Sequence, residues 1–343
     1  MSARSKGYHK KILPNGIRVI GEEINGFNSV TVGIFVFCGS RDEPKSDRGI
    51  AHFTEHMLFK GTERRTSLDI SKEIDGVGGI INAYTNKEYT CYYVKVIQEK
   101  IDLALDILSD IFLHSTIKEE EIEREKKVVV QEIGMVNDTP DDVIHDLLLE
   151  ALFGKESLGF SILGTEETVK NFNRDKVLSF IENYYLNDRI IIASAGNFKW
   201  NDFYEKVNHY FGGRIYKDIK FPERKNTSEG ENISLTKEHL YQINTAIGFR
   251  TVSRYSEDYY PIRVLNSILG SSMSSYLFQE LREKTGYAYS VFSHTQAYQD
   301  TGFLEIYYAT SPKNHNYCLD KVKDILKRFS DGEIWVKYGE NIR

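Results

Sequence analysis

His52-Phe53-Thr54-Glu55-His56 constrains the fold of this chain more than any other stretch. Two imidazoles four residues apart meet only on a helix, where i and i+4 stand one turn above the other on one face. Ser46–Lys60 carries apolar residues at helical spacing around the motif, with Ser46 or Asp47 placed to cap its start. Glu55 sits beside the histidine face, near enough to reach a water on a bound ion without ligating it. Two imidazoles plus a carboxylate suit zinc, with the fourth position left to a water whose pKa then falls toward roughly 7. Manganese and cobalt accept the same donors. The competing reading is a helix with two solvated histidines.

A third ligand has to come from elsewhere. Lys118–Val136 reads as a helix, charged at its start and apolar later. On it Glu125, Val128, Val129 and Glu132 follow i, i+3, i+4, i+7 spacing, so two carboxylates share one stripe with valines. A carboxylate on such a stripe needs a partner, because unpaired burial is costly. Glu132 is the expected ligand, and Glu125 the residue that orients a histidine ring. The alternative is a solvated charged face.

Length and charge narrow the class. A chain of 343 residues predicts two domains, each with its own core. The formal net charge of -6 argues against nucleic acid as a partner. Thr31–Cys38 and Ile190–Ala195, the longest apolar runs, are strand-sized and too short to span a membrane. Met1–Pro14 lacks the apolar segment of a secretory signal. Cys38, Cys91 and Cys318 form no C-x-x-C pair, and Cys38 and Cys91 read as core residues. A soluble, cytoplasmic protein is expected. Gly76–Gly79 and Gly270–Ser275 lack the Lys-Ser/Thr of a phosphate loop.

Strands are expected at Gly16–Glu23, Val30–Cys38 and Ile190–Asn197, and Ile80–Ile97 reads as one long strand or a hairpin. Helices are expected at Ser67–Val77, Ile101–His114, Asp141–Phe153 and Asp175–Tyr185. Gly212–Asn232 is polar and Gly-rich, a linker by composition. Beyond it come a strand near Tyr241–Phe249, helices at Tyr259–Leu269 and Ser274–Lys284, paired strands at Tyr289–Gln296 and Gly302–Thr310, and a helix at Tyr317–Phe329. This order echoes the first half and suggests a duplicated domain.

Gly49-Ile-Ala-His52-Phe-Thr-Glu55-His56-Met-Leu-Phe-Lys-Gly61-Thr62 resembles the peptidase M16 family, the pitrilysin or insulinase type, and especially its shorter mitochondrial-processing-peptidase-like bacterial branch. H-x-x-E-H is the inverse of the commoner H-E-x-x-H zinc motif. The family's third ligand lies in a downstream Glu-Ile pair, as Glu132-Ile133 does, and its other characteristic glutamate stands one heptad earlier, at Glu125. The resemblance implies an α+β fold of two related α/β-sandwich domains with largely antiparallel sheets flanked by helices. Their expected bounds are 1–215 for the zinc-binding domain, 216–235 for the linker and 236–343 for a second domain. That second domain is expected to be incomplete, since the tail Glu333–Arg343 is unlike the amphipathic helix that should follow.

The resemblance also implies a zinc metalloendopeptidase with one Zn2+ per chain, acting on short or unfolded polypeptides, with Glu55 activating the zinc-bound water. Gly78–Thr85 resembles the family's substrate-binding edge strand, with Asn82, Ala83 and Tyr84 as contacts and Tyr84 and Phe59 lining a pocket. Leu281–Ser290 looks like the family's Arg/Tyr segment, in which Arg282 grips substrate and Tyr289 donates to the developing oxyanion. A homodimer, or a heterodimer with a related chain, is implied. The alternative function is a non-catalytic peptide-binding partner subunit of such a dimer.

Overall fold

Val30, Val32, Ile34 and Val36 alternate with Thr31, Gly33 and Phe35 along one strand, and the four aliphatic residues are all buried. That period of two puts one face of the strand against a core and leaves the other lighter. The strand, β3 (Ser29–Val36), lies inside a six-stranded sheet with β1 (Ser5–Ile12), β2 (Arg18–Ile24), β4 (Ile80–Thr85), β5 (Thr90–Ile97) and β6 (Ile190–Gly196). The strand order is β1-β2-β6-β3-β5-β4, antiparallel except for β2 with β6. The computed structural model describes residues 5–154, 157–215, 217, 219–221, 224, 230–236 and 240–334.

Among the described residues, the helices packed on this sheet lie on its aliphatic face. α1 (Ile50–Leu58) packs on β4 and β5, α3 (Ile101–His114) on β3 and β5, and α8 (Trp200–Phe211) on β2, while α7 (Arg174–Tyr184) packs on α1. Their apolar stripes join Val32, Ile34, Tyr92, Val94 and Ile192 in one core, each fully buried large side chain contributing roughly 1.5–3 kcal/mol. α2 (Ser67–Asp75) leads into β4, α4 (Glu119–Asp138) follows α3, and the short α6 (Glu166–Lys170) precedes α7.

The chain forms two compact units: residues 1–135 with 160–224, and residues 136–159 with 225–343. Thus α5 (Pro140–Phe153), which precedes the chain's expected linker, counts with the second unit. There β7 (Ile243–Thr251), β8 (Ala288–Ala297) and β9 (Gly302–Thr310) pair antiparallel in the order β7-β9-β8. β9 is buried along its whole length because both its faces are covered. Leu304, Ile306 and Tyr308 join the core of α9 (Tyr259–Leu269), α10 (Tyr276–Phe278), its π-helical continuation Gln279–Glu283, and α11 (His315–Ser330). Phe303 faces Leu148, Leu152 and Phe153 of α5. The order β7-β9-β8 reproduces β3-β5-β4, so the echo read in the sequence is a structural repeat.

The long segment Ile80–Ile97 is a hairpin, closed by residues 86–89. The N-terminal strand β1 and helix α8 were not anticipated; β1 is a polar edge strand with no alternating apolar face to signal it. Parts of the expected linker (216, 218, 222, 223 and 225–229) and of the expected irregular tail (335–343) lie outside the described residues. Among those described, no helix is long and apolar enough to cross a membrane.

Candidate metal centre

α1 begins at Ile50, later than its spacing predicts, and neither Ser46 nor Asp47 caps it. Gly49, at φ 89°, turns the chain into the helix, and a Cβ there would lie 2.5 Å from the Leu163 carbonyl oxygen. The capping acceptor comes from further back: the two Glu43 carboxylate oxygens accept from Gly49 N and Ala51 N, each at 2.8 Å. A carboxylate at a helix N-terminus satisfies orphan donors and complements the dipole. Asp47 instead pairs with Lys176 of α7 at 2.6 Å.

A second device joins the segment after β3 to the β4–β5 hairpin. Gly39 approaches the hairpin so closely that a Cβ would meet Asn86 O at 2.2 Å, while Ser40 N and Arg41 N donate to Asn86 O and Lys87 O. Around this contact Arg41 pairs with Glu88 at 2.7 Å, and Arg224 grips Asp42 through two 2.7 Å hydrogen bonds and lies 3.3 Å from Glu88.

On α1 the two imidazoles converge as the spacing demands, with His52 Nε2 and His56 Nε2 3.1 Å apart. Glu132 Oε2, from α4, lies 3.8 Å from the first and 3.9 Å from the second. These three atoms form the one group of its kind among the described residues. The separations approximate the edges of a tetrahedron around an ion roughly 2.0–2.1 Å from each donor.

Glu125 Oε1 lies 2.7 Å from His56 Nδ1, and accepting a hydrogen bond from that nitrogen leaves the Nε2 lone pair aimed at the centre. Glu125 is itself buried and held by Lys60 Nζ at 2.5 Å. Burial raises the Glu125 carboxyl, but the hydrogen bonds from His56 and Lys60 outweigh it and hold the group below its usual range. Burial lowers His56, yet Glu125 outweighs that too and raises it. His52 is pushed down to about 3 by burial and then by its neighbour His56, so its imidazole is neutral. Its Nδ1 is buried with no hydrogen-bond partner. A neutral, buried imidazole whose Nε2 meets a second imidazole and a carboxylate fits a divalent cation better than it fits a protein hydrogen-bond network.

Glu55 stands outside this donor group. Its Oε2 accepts from Thr85 Oγ1 at 2.7 Å, which ties it to the end of β4, and burial raises its pKa against that hydrogen bond. Lys60 and Thr85 were not anticipated; Lys60, four residues after His56, was the more legible of the two.

Chain 18–166 matches the model of Insulinase (Peptidase family M16), and 171–334 matches that of the Peptidase M16 inactive domain. The chain belongs to peptidase family M16. A Bacillus subtilis protein named as an uncharacterized zinc protease is 41% identical over 95% of this chain and 80% of its own length. One of Mycobacterium leprae, named likewise, is 38% identical over 95% of this chain and 74% of its own. Among solved structures, a protease from Helicobacter pylori superposes with a TM-score of 0.90 at 21% identity, covering 95% of this chain and 81% of its own. A peptidase M16 inactive domain from Pseudomonas fluorescens gives 0.86 at 18%, covering 94% and 79%. The M16 fold of two α+β units is therefore that expected from the sequence.

The remaining expected site residues distribute as follows. Asn82 and Tyr84 point to the open face of the sheet, and Ala83 toward the helices. Asn82 Oδ1 is engaged by Ala83 N at 2.8 Å. Phe59 packs toward the buried Tyr92 on the helical face, whereas Tyr84 contacts Tyr89 and Tyr93. Phe59, at the C-terminal end of α1, thus lies on the helical face of the sheet, and Tyr84, by strand alternation along β4, on the other. In the second unit Arg282, on the π-helical turn, lies 5.9 Å from the ring of Tyr289, which is exposed at the start of β8.

Proposed function

We propose that this M16 chain is a zinc metalloendopeptidase that hydrolyses peptide bonds in short or unfolded polypeptides. The convergence of His52 Nε2, His56 Nε2 and Glu132 Oε2, with Glu55 on the same helix as the histidines and bonded to Thr85 at the end of an edge strand, carries this reading. His52, His56 and Glu132 would hold the ion. Zinc supplies Lewis acidity there, polarising the scissile carbonyl and making water more acidic.

The protein's own groups do the rest. Glu55, raised in pKa by its buried setting, takes a proton from the attacking water as its oxygen bonds to the carbonyl carbon. It returns that proton to the amine as the C–N bond breaks. β4 is the last strand of its sheet, so its outer edge offers backbone N–H and C=O groups to an extended peptide, with Ala83 N at present bonded to Asn82 Oδ1. Backbone pairing makes sequence preference broad. Arg282 gripping the peptide backbone and Tyr289 donating to the oxyanion complete the reading, together with a dimer in which a related chain supplies that pair. The second half matches an inactive-domain model, which supports assigning all the metal chemistry to the first half.

The test is cleavage of an unstructured quenched-fluorescent peptide by the full chain. Activity is expected to vanish on chelation and to return with zinc; turnover that persists in a chain shown to be metal-free removes the proposal. A second expectation concerns Glu125, which holds His56. Glu125→Gln is expected to weaken zinc affinity about 10–100-fold, read by competition with a chromogenic chelator. Unchanged affinity would mean that Glu125 serves Lys60 and the helix packing alone.

A further inference from the structure

A glutamate side chain has several rotatable bonds, so a carboxylate that takes a proton at a fixed place needs a contact that holds it there. Among the described residues Glu55 makes one hydrogen bond, accepted by Oε2 from Thr85 Oγ1 at 2.7 Å. Its neighbour His56 is held differently, by Glu125, which Lys60 holds in turn. Thr85 reaches Glu55 from the β4–β5 hairpin.

Proton counting makes that contact specific. A threonine hydroxyl has a single proton to donate, and an ionised carboxylate only accepts. Thr90, which faces Thr85 across the hairpin, donates its own proton to Cys38 O at 3.1 Å. Its Oγ1 lies 3.5 Å from Thr85 Oγ1, too far to draw the Thr85 proton from a carboxylate oxygen at 2.7 Å. The Thr85 hydroxyl is therefore committed to Glu55.

Thr85 is also the last residue of β4. Strand alternation turns its side chain toward α1, while the backbone of the same strand lines the outer edge of the sheet. Beyond Thr85 the hairpin turn is fixed, since Ser40 N and Arg41 N donate to Asn86 O and Lys87 O. Before it, β4 pairs on one side only, with β5. A peptide paired outside β4 gives the strand a second hydrogen-bonded neighbour, and a strand held on both sides opens less readily than one held on one. The residue where the fixed turn meets that strand is the one that supplies the hydroxyl to Glu55.

We propose that Thr85 is a positioning residue that couples peptide pairing along β4 to the placement of Glu55. The proposal rests on the reading that β4 receives substrate and that Glu55 moves the proton. The full chain, loaded with zinc, is given two unstructured quenched-fluorescent peptides that share one cleaved bond, the longer extended to span the six residues of β4. On wild type the longer peptide is expected to show a kcat about tenfold higher, beyond any fall in KM. Thr85→Val replaces the hydroxyl by a methyl of similar size. It is expected to lower kcat on the longer peptide about tenfold, to the level of the shorter, with KM and zinc content unchanged. Thr85→Ser keeps the hydroxyl and is expected to restore the difference between the peptides. A wild type in which lengthening lowers KM alone overturns the proposal, and this comparison decides by itself if Thr85→Val does not fold. Wild-type kcat in Thr85→Val also overturns it. So does a loss that Thr85→Ser fails to restore, since packing of the Thr85 methyl would then be the role. Cleavage that Thr85→Val leaves unaltered removes the proposal alone, whereas absence of cleavage by the zinc-loaded wild type removes the hydrolase reading and the proposal with it.

Discussion

Glu55→Gln is expected to lower kcat/KM on an unstructured peptide about 10²–10⁴-fold while zinc content stays at the wild-type level. The side chain keeps its length and an oxygen that can still accept from Thr85 Oγ1, so the end of β4 stays tied to α1. The amide has no basicity and takes no proton from water. Glu55 lies outside the donor set of His52, His56 and Glu132, so the metal inventory is not expected to follow the activity. Paired metal analysis and kinetics on one preparation test both halves. Retained activity would move the proton-transfer role elsewhere, and parallel loss of zinc and activity would make Glu55 a residue of metal binding instead.

Arg224→Ala carries the largest expected effect on stability, a loss of about 3–5 kcal/mol in urea unfolding. The Arg224 side chain, 9% exposed, lies against two buried carboxylates, Asp42 and Glu88. Removing it leaves the cluster with more negative than positive charge in a place where water does not compensate. Asp42 gives the sign of the pH dependence. Burial already raises its pKa, and Arg224 pulls it back. Without the guanidinium the folded pKa climbs further above the unfolded one, so the folded variant binds a proton more readily than the unfolded chain does. Its deficit against wild type is therefore largest at neutral pH and above, where Asp42 is ionised, and shrinks as pH falls through the raised pKa. A deficit that does not change with pH would mean that Arg224 contributes packing, over Phe221 among others, rather than charge.

The metal centre was legible because its constraints are local. His52 and His56 are fixed by helical period, and Glu125 and Glu132 by the same period on a second helix. What holds these groups was less legible. Glu43 caps α1 across an intervening 3-10 turn, Thr85 reaches Glu55 from the hairpin, and Arg224 returns to Asp42 from far along the chain. No periodicity marks such contacts, since they depend on how loops close. The placement of α5 was hidden for a related reason. Its apolar face reads the same whichever sheet it covers, and only the small residues of β7 and the aromatic residues of β9 select the second. That Tyr84 and Phe59 lie on opposite faces of the sheet was not legible either, because a motif resemblance does not say on which side of the sheet each ring packs.

Ile80-Ile-Asn-Ala-Tyr-Thr85 is uncharged, free of proline and last in its sheet. Edge strands of that composition lack the lysines, prolines and bulges by which proteins discourage unwanted strand pairing. A site that recognises backbone rather than side chains gains a wide range of peptides, and by the same chemistry it admits the β4 of another copy. On the proposed reading, bound peptide and the β4 of a second copy would compete for one row of hydrogen-bonding groups, so substrate is expected to oppose self-association through that edge.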